Sequence, residues 1–340
     1  MNHWKLLVPV IAALLPLAGC DGGGGEPDSE AKMTALTVYA GRSEKLIGPI
    51  LGRFTQKTGI AVDVRYGSTS ELVATLLEEG EHTPADLFIS QDAAALGALS
   101  KSGQLRQLRG ATLERVPRRF RSPNGDWVGL SGRARVVVYN TERMTPDQLP
   151  QSLADVVDAK FRGRWGVAPT NASFQAHMAL VAALGGEEEL TDLLSGMVAN
   201  EPNRYPKNSP IVAAVIAGEI DWGLTNHYYL WRALKENPDA PAKNYFMPAG
   251  DASSFINMAG VGILSEHADA TPLIDFLLSD EAQTYFARET FEYPLVPGVA
   301  ASVDLPALEI LSTPDADYRA VSAALERTLE QIMDSGLVDH

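Results

Sequence analysis

The chain has 340 residues, enough for two domains at roughly 100–200 residues each. It is 45% hydrophobic and 21% charged, which excludes a disordered or collagen-like chain. The formal charge of -15 excludes a protein that works by neutralising nucleic-acid phosphates over a basic face, and the single cysteine, Cys20, excludes an intrachain disulfide or a multi-cysteine zinc site.

The first residues read as an address. Lys5 is the only side-chain cation before the apolar run Leu6 to Leu17. That run is shorter than the roughly 20 residues a bilayer span needs, and it has the length of a secretory signal core. Leu17-Ala18-Gly19-Cys20 resembles the bacterial lipobox. Residues 1–19 are therefore expected to be a lipoprotein signal peptide, with Cys20 the lipidated N-terminus of the mature chain. Residues 20–33 follow as a tether, because Asp21 to Glu30 (DGGGGEPDSE) offers no large apolar side chain to bury.

From Leu36 strands and helices alternate. LTVYAG (36–41) reads as a strand, and Ser43 to Lys57 carries Leu46, Ile47, Ile50, Leu51 and Phe54 at helical spacing until Gly59. IAVDVRYG (60–67) is a strand, Ser68 and Glu71 form a capping box before a helix, and ADLFIS (85–90) precedes a helix over Asp92 to Ser100. This order predicts a mainly parallel sheet covered by helices. WVGLSGRARVVVYN (127–140) is a longer strand. A second such unit has strands at RWGVAP (164–169) and EIDWGLT (219–225), and helices over Asn171 to Leu184, Pro210 to Ala217 and from Asn226. FINMAGVGIL (255–264) reads as a strand pair or one bent strand, and Thr271 to Ala287 and Asp315 to Ser335 as helices. Two α/β lobes meeting at their strand ends make a cleft, the usual place for a ligand.

Three stretches carry chemistry. Thr225-Asn226-His227-Tyr228-Tyr229 follows a strand and opens a helix, with Asn226 placed to cap it. Two phenolates suit a hard, highly charged metal, because a bound cation forces its ligands to deprotonate. The plainer reading of the dipeptide alone is packing of both rings in a groove. Ala168-Pro169-Thr170-Asn171-Ala172-Ser173-Phe174 opens a helix whose free N–H groups can hold an anion, although plain N-capping is commoner. Arg133 and Arg135 share one side of their strand and can fork onto an oxyanion, although a salt bridge is the plainer use. There is no His-Glu-x-x-His motif and no P-loop, and GLSGR (129–133) fails the nucleophile-elbow pattern at its last position. The histidines show no ligand spacing, and His227 is expected to face away from the tyrosines.

The stretches VYAGRSEKLI, FTQKTGIAVDVRYG, TPADLFISQDAAALGALS, WVGLSGRARVVVYN, APTNASFQ, NSPIVAAVIAGEIDWGLTNHYY, FLLS and YPLVPGV, in this order, resemble the ferric-iron-binding proteins of bacterial ABC importers. These are a branch of the periplasmic solute-binding proteins, and the similarity runs through nearly the whole mature chain. The resemblance implies a two-lobed type II periplasmic-binding-protein fold, each lobe a mainly parallel sheet flanked by helices. Lobe 1 would comprise 34–136 and 259–300, and lobe 2 137–258 and 301–340. Two hinge strands would join them, near Val136–Asn140 and Phe255–Gly260.

It also implies Fe(3+) as cargo, held by Tyr228 and Tyr229 with carbonate, phosphate or citrate as synergistic anion. The anion would lie against Asn171, Ala172 and Ser173, with Asn226 and Asn208 nearby, and Arg133 matches the arginine that pairs with carbonate in some members. Family members with a histidine and a glutamate ligand carry them where this chain has Ser43 and Gln91, and members with a third tyrosine carry it near Phe174. About four positions of six-coordinate iron would then fall to anions or water, and Arg42 adds positive charge to attract them. The implied partners are an importer permease and its ATPase, with iron arriving free or as a chelate. The protein would be a monomer, not an enzyme, in the periplasm or at the cell surface, touching the membrane only through its lipid. The alternative is the same fold binding an organic or phosphorylated anion without iron.

Overall fold

The structure, a computed structural model, describes residues 35–248, 252–301, 305–308, 311 and 318–338. The expected signal peptide, Cys20 and the whole of the expected tether lie outside the described residues. From Ala35 the elements alternate as the periodicity predicts. β1 (Leu36–Ala40), β2 (Val62–Tyr66) and β3 (Leu87–Ser90) alternate with α1 (Glu44–Thr58), α2 (Thr69–Glu79) and α3 (Ala93–Lys101). Gly59 stops α1 at φ 76° in the left-handed region. At the start of α2, Ser68 Oγ accepts from the Glu71 N–H at 3.2 Å and the Glu71 carboxylate accepts from the Ser68 N–H at 3.1 Å. This reciprocal cap satisfies two of the N–H groups that a helix start leaves free.

After the short α4 (Gly110–Leu113) comes β4 (Trp127–Asn140), with all 14 residues buried. The second half holds β5 (Trp165–Val167), α5 (Ala172–Ala199), β6 (Asn203–Arg204), α6 (Asn208–Ala217), β7 (Trp222–Asn226), α7 (Tyr228–Glu236) and β8 (Ala242–Tyr245). It is followed by β9 (Ile256–Ile263), α8 (Ala270–Leu277), α9 (Asp280–Glu289), β10 (Tyr293–Pro294) and α10 (Tyr318–Asp334).

FINMAGVGIL forms the single strand β9, one of the two readings its sequence allowed. Other elements differ from their sequence reading: the helix expected from Asn226 begins at Tyr228, after β7 has run on through Asn226. The stretch 271–287 is two helices, because Ser279 adopts an extended conformation and caps α9 by accepting from the Ala282 N–H. α5 continues beyond Leu184 as far as Ala199, and Gly186 at φ 89°, ψ 173° marks a break inside it.

The strands run β2-β1-β3-β9-β4-β7-β5-β6, with β8 and β10 also paired to β4. Pairing is parallel at both ends of this order, among β2, β1 and β3 and among β6, β5 and β7. It is antiparallel where β9 and β4 cross the middle. β4 changes neighbours along its length. Trp127 to Ala134 pair with β9, whereas Arg135 to Tyr139 pair with β7.

Burial follows the same division. Leu36, Phe54, Phe88, Trp127, Val136, Met258 and Phe286 belong to one apolar cluster. Val137, Trp165, Phe174, Leu190, Trp222 and Phe255 belong to a second, and Val138, Ile211 and Leu230 to a third. The tail divides too: Leu308 and Leu311 join the first cluster, and Val321, Ile332 and Leu337 the second. Each fully buried large side chain contributes roughly 1.5–3 kcal/mol.

Candidate metal centre

The tyrosine pair stands where β7 becomes α7. Asn226 is the last residue of the strand and His227 the residue before the helix. The expected Asn226 cap is not formed, because Asn226 stays paired in the sheet opposite Arg135. The junction is instead pinned to β4. The His227 N–H donates to the Ala134 carbonyl at 3.0 Å, and His227 Nδ1 accepts from the Ala134 N–H at 3.1 Å. Nδ1 is therefore the acceptor nitrogen, and Nε2 donates to the Phe291 carbonyl at 2.8 Å. With both ring nitrogens occupied and the ring buried, His227 is a structural residue and not a ligand. Burial first, outweighing two backbone hydrogen bonds, pulls its pKa down to about 4.

Tyr228 is 4% exposed and Tyr229 is half-buried, with ring centroids 4.5 Å apart. The Tyr228 hydroxyl lies 3.4 Å from Asn226 Nδ2. Burial pushes the Tyr229 phenol up, and Tyr228 beside it adds to the rise; a hydrogen bond from Asn208 and the charge of Arg232 pull the other way. Asn208 reaches Tyr229 because α6 packs closely on β7. A Cβ at Gly223 would come 2.3 Å from Ile211 Cγ2, so only glycine admits this approach.

Asn208 also ties the tyrosines to the start of α5. Its Nδ2 lies 3.2 Å from Asn171 Oδ1 and 3.1 Å from Ser173 Oγ. Asn171 caps α5 by accepting from the Ser173 N–H at 3.1 Å and from its hydroxyl at 2.5 Å. Ala172 is exposed as the first residue of the helix. Phe174 is fully buried in the second apolar cluster, so no oxygen replaces a third tyrosine there.

The two arginines of β4 part company. Arg133 donates to the Gln91 carbonyl, on the side of the first cluster. Arg135 is 2% exposed and donates from Nη1 to Asn226 Oδ1 at 3.1 Å, while its Nε and Nη2 have no hydrogen-bond partner. Burial lowers its pKa to about 10, and both tyrosines offset part of that shift. It stays charged at neutral pH. A buried guanidinium with two unpartnered nitrogens is costly unless an anion arrives to use them. Arg135 is thus a cation near the tyrosine pair that keeps donors unpartnered. Alternation along the strand marks it out as clearly as Arg133.

The remaining residues lie around the first cluster. Arg42 is neutralised: its Nη2 lies 2.9 Å from both carboxylate oxygens of Glu292, its Nη1 donates to Ser131 Oγ at 3.0 Å, and only its Nε has no hydrogen-bond partner. Burial alone would raise the Glu292 carboxyl, but Arg42, Arg133 and the Ser131 hydroxyl outweigh it and hold the group below the usual carboxylate range. Ser43 is exposed at the start of α1 and makes no side-chain cap. Gln91 is half-buried, and its Oε1 has no partner. Among the described residues no group of three or more His, Cys, Asp or Glu could hold a metal ion.

His177, on α5, completes the surroundings of Arg135. Its Nε2 meets the Ala252 carbonyl at 2.7 Å, and burial, then the charge of Arg135, lowers its pKa to about 3. The unfolded chain takes up a proton at this histidine near pH 6.5 and the folded chain does not, so stability is complete above pH 6.5 and lost as pH falls toward 3. The expected slope is up to about 1.4 kcal/mol per pH unit from this one group. Calorimetric melts of wild type and His177→Gln at pH 7.5, 6.0 and 5.0 check it. The variant, which keeps a donor to Ala252, should lose less stability than wild type over that range.

A mixed sheet crossed by two long strands, with a polar site at the strand and helix ends, defines a type II periplasmic-binding-protein fold. The chain belongs to the bacterial extracellular solute-binding protein family, whose model matches residues 82–319. It is 31% identical over 310 residues to the Fe(3+)-binding periplasmic protein of Serratia marcescens, covering 89% of this chain and 90% of that protein. Iron-bound HitA from Pseudomonas aeruginosa superposes with a TM-score of 0.82 at 31% identity, covering 89% of this chain and 99% of that one. The Trichodesmium protein IdiA (FutA), in complex with iron and citrate, superposes with a TM-score of 0.77 at 26% identity, again covering 89% and 99%.

Proposed function

We propose that this chain is the substrate-binding subunit of an ABC importer and that its cargo is ferric iron, held by Tyr228 and Tyr229 together with an exogenous anion. The observation that carries the reading is the juxtaposition of two adjacent phenols with a buried guanidinium, Arg135, that has two unpartnered nitrogens. The relatives in Serratia, Pseudomonas and Trichodesmium support iron as the cargo.

Each phenol gives up its proton as it ligates the ion, since ligands bind metal in the deprotonated form. Two phenolates leave a ferric ion with one net positive charge and about four open positions. Carbonate, phosphate or citrate fills some of these and takes hydrogen bonds from Arg135, Asn208, Ser173 and the N–H groups at the start of α5 around Ala172. Asn171 and Asn226 orient these groups through the bonds described above. Arg133 and Arg42, with Ser43 and Gln91, belong to the opposing face around the first cluster. Closure about β4 and β9 brings that face to the ligand. Such closure is explained only if the ligand binds the closed state more tightly.

The chain works by binding and release as a monomer, without turnover. Lipidation at Cys20 tethers it to a bacterial membrane, where it hands iron to a permease driven by an ATPase. No described helix is long and apolar enough to cross a membrane.

The test is a visible spectrum of the metal-stripped protein titrated with ferric iron in carbonate, phosphate or citrate. A phenolate-to-iron charge-transfer band with at least one anion is expected. No band with any of them would turn the assignment to an organic or phosphorylated anion held by Arg135 without iron.

A further inference from the structure

A second cation stands beside the tyrosine pair, on α7 itself. Arg232 lies four residues after Tyr228, one helical turn further along the same face of α7. Its guanidinium carbon stands 4.5 Å from the Tyr228 ring centroid and 5.7 Å from that of Tyr229. It is half-buried, and its Nη2 is shielded from solvent with no hydrogen-bond partner. Its guanidinium packs against the two rings, both of them on residues assigned above as iron ligands.

We propose that Arg232 is a positioning residue for the iron ligands: it holds the two tyrosine rings as one preorganised pair and tunes how strongly their oxygens donate to the bound ion. This rests on the assignment of Tyr228 and Tyr229 as ligands. A cation over an aromatic face is attracted to the ring's electron density, more so where water is excluded. The attraction grows when a ring carries phenolate charge, so Arg232 stabilises the iron-loaded pair more than the empty one. The same charge lowers the energy of the phenolate electrons, which moves the charge-transfer band to shorter wavelength. A planar guanidinium can cover both rings at once, which the compact ammonium of a lysine cannot do to the same extent.

The experiment uses the full chain in detergent, loaded with ferric iron and citrate, as wild type, Arg232→Gln and Arg232→Lys. It reads the band maximum and the rate of iron loss to excess EDTA. Arg232→Gln should move the band to longer wavelength and lose iron about tenfold faster, the size of one well-shielded cation–π contact. Arg232→Lys should fall between it and wild type, because it keeps the charge and loses the plane. A merely structural role would change the melting temperature and leave the band where it is. Arg232→Gln with the wild-type band and rate overturns the proposal while leaving the iron assignment standing. A wild type without any band overturns both.

Discussion

Tyr228→Phe and Tyr229→Phe are each expected to abolish most of the iron-dependent colour and to weaken ferric iron binding by more than about a hundredfold. Loss of a residue that merely supports a metal ligand already costs about 10–100-fold, and these substitutions remove the ligand itself. Phenylalanine keeps the ring, so the 4.5 Å packing of the two side chains and the contact with Arg232 persist. Folding stability should therefore change by only about 1 kcal/mol, the net contribution of a lost hydrogen bond. The measurements are absorbance on iron titration, competition with a chelator, and a thermal melt of each variant. Two variants that still bind iron with wild-type colour would take the ligands away from this pair. A retained fold with lost colour would place the loss at the metal.

Arg135→Gln is expected to reduce the affinity for the synergistic anion by about 10–100-fold, the effect of losing hydrogen bonds from a charged donor. Iron binding should weaken with it, since the open positions of the ion depend on that anion. Arg133→Gln should have a smaller effect on anion affinity. The reason is the change of strand neighbours in β4: Arg133 spends a donor on the Gln91 carbonyl and keeps only Nε unpartnered, whereas Arg135, near the tyrosines, keeps both Nε and Nη2. Anion titrations followed through the charge-transfer band compare the two variants directly. A larger loss in Arg133→Gln than in Arg135→Gln would return the anion to Arg133.

Much of the site is legible in the primary structure because it is local. A strand followed at once by a helix near residue 226 follows from periodicity, although the helix begins at Tyr228 and not at the expected Asn226, and the two phenols are neighbours in the chain. Asn171 as the cap of α5 follows from residue type and place. Arg232 carries a signal of the same kind, because a residue four positions after Tyr228 must lie over it on a helix. What escapes sequence reading is contact between distant segments. The carboxylate that neutralises Arg42 is Glu292, which is 250 residues away. Asn208 joins Asn171 and Ser173, 37 and 35 residues before it, because Gly223 lets α6 close on β7.

By itself, then, the amino-acid sequence determined the alternation of strands and helices, the family, and the tyrosine pair at a strand-to-helix junction. These depend on side-chain periodicity, turn chemistry and motifs a few residues long. Only the tertiary structure decided how the donors of the buried arginines are spent. Arg133 and Arg135 are equivalent under strand alternation, and they become different because β4 leaves β9 and takes up β7 between Ala134 and Arg135. A free donor is defined by the partners it lacks, and partners in a mixed sheet come from segments far apart along the chain.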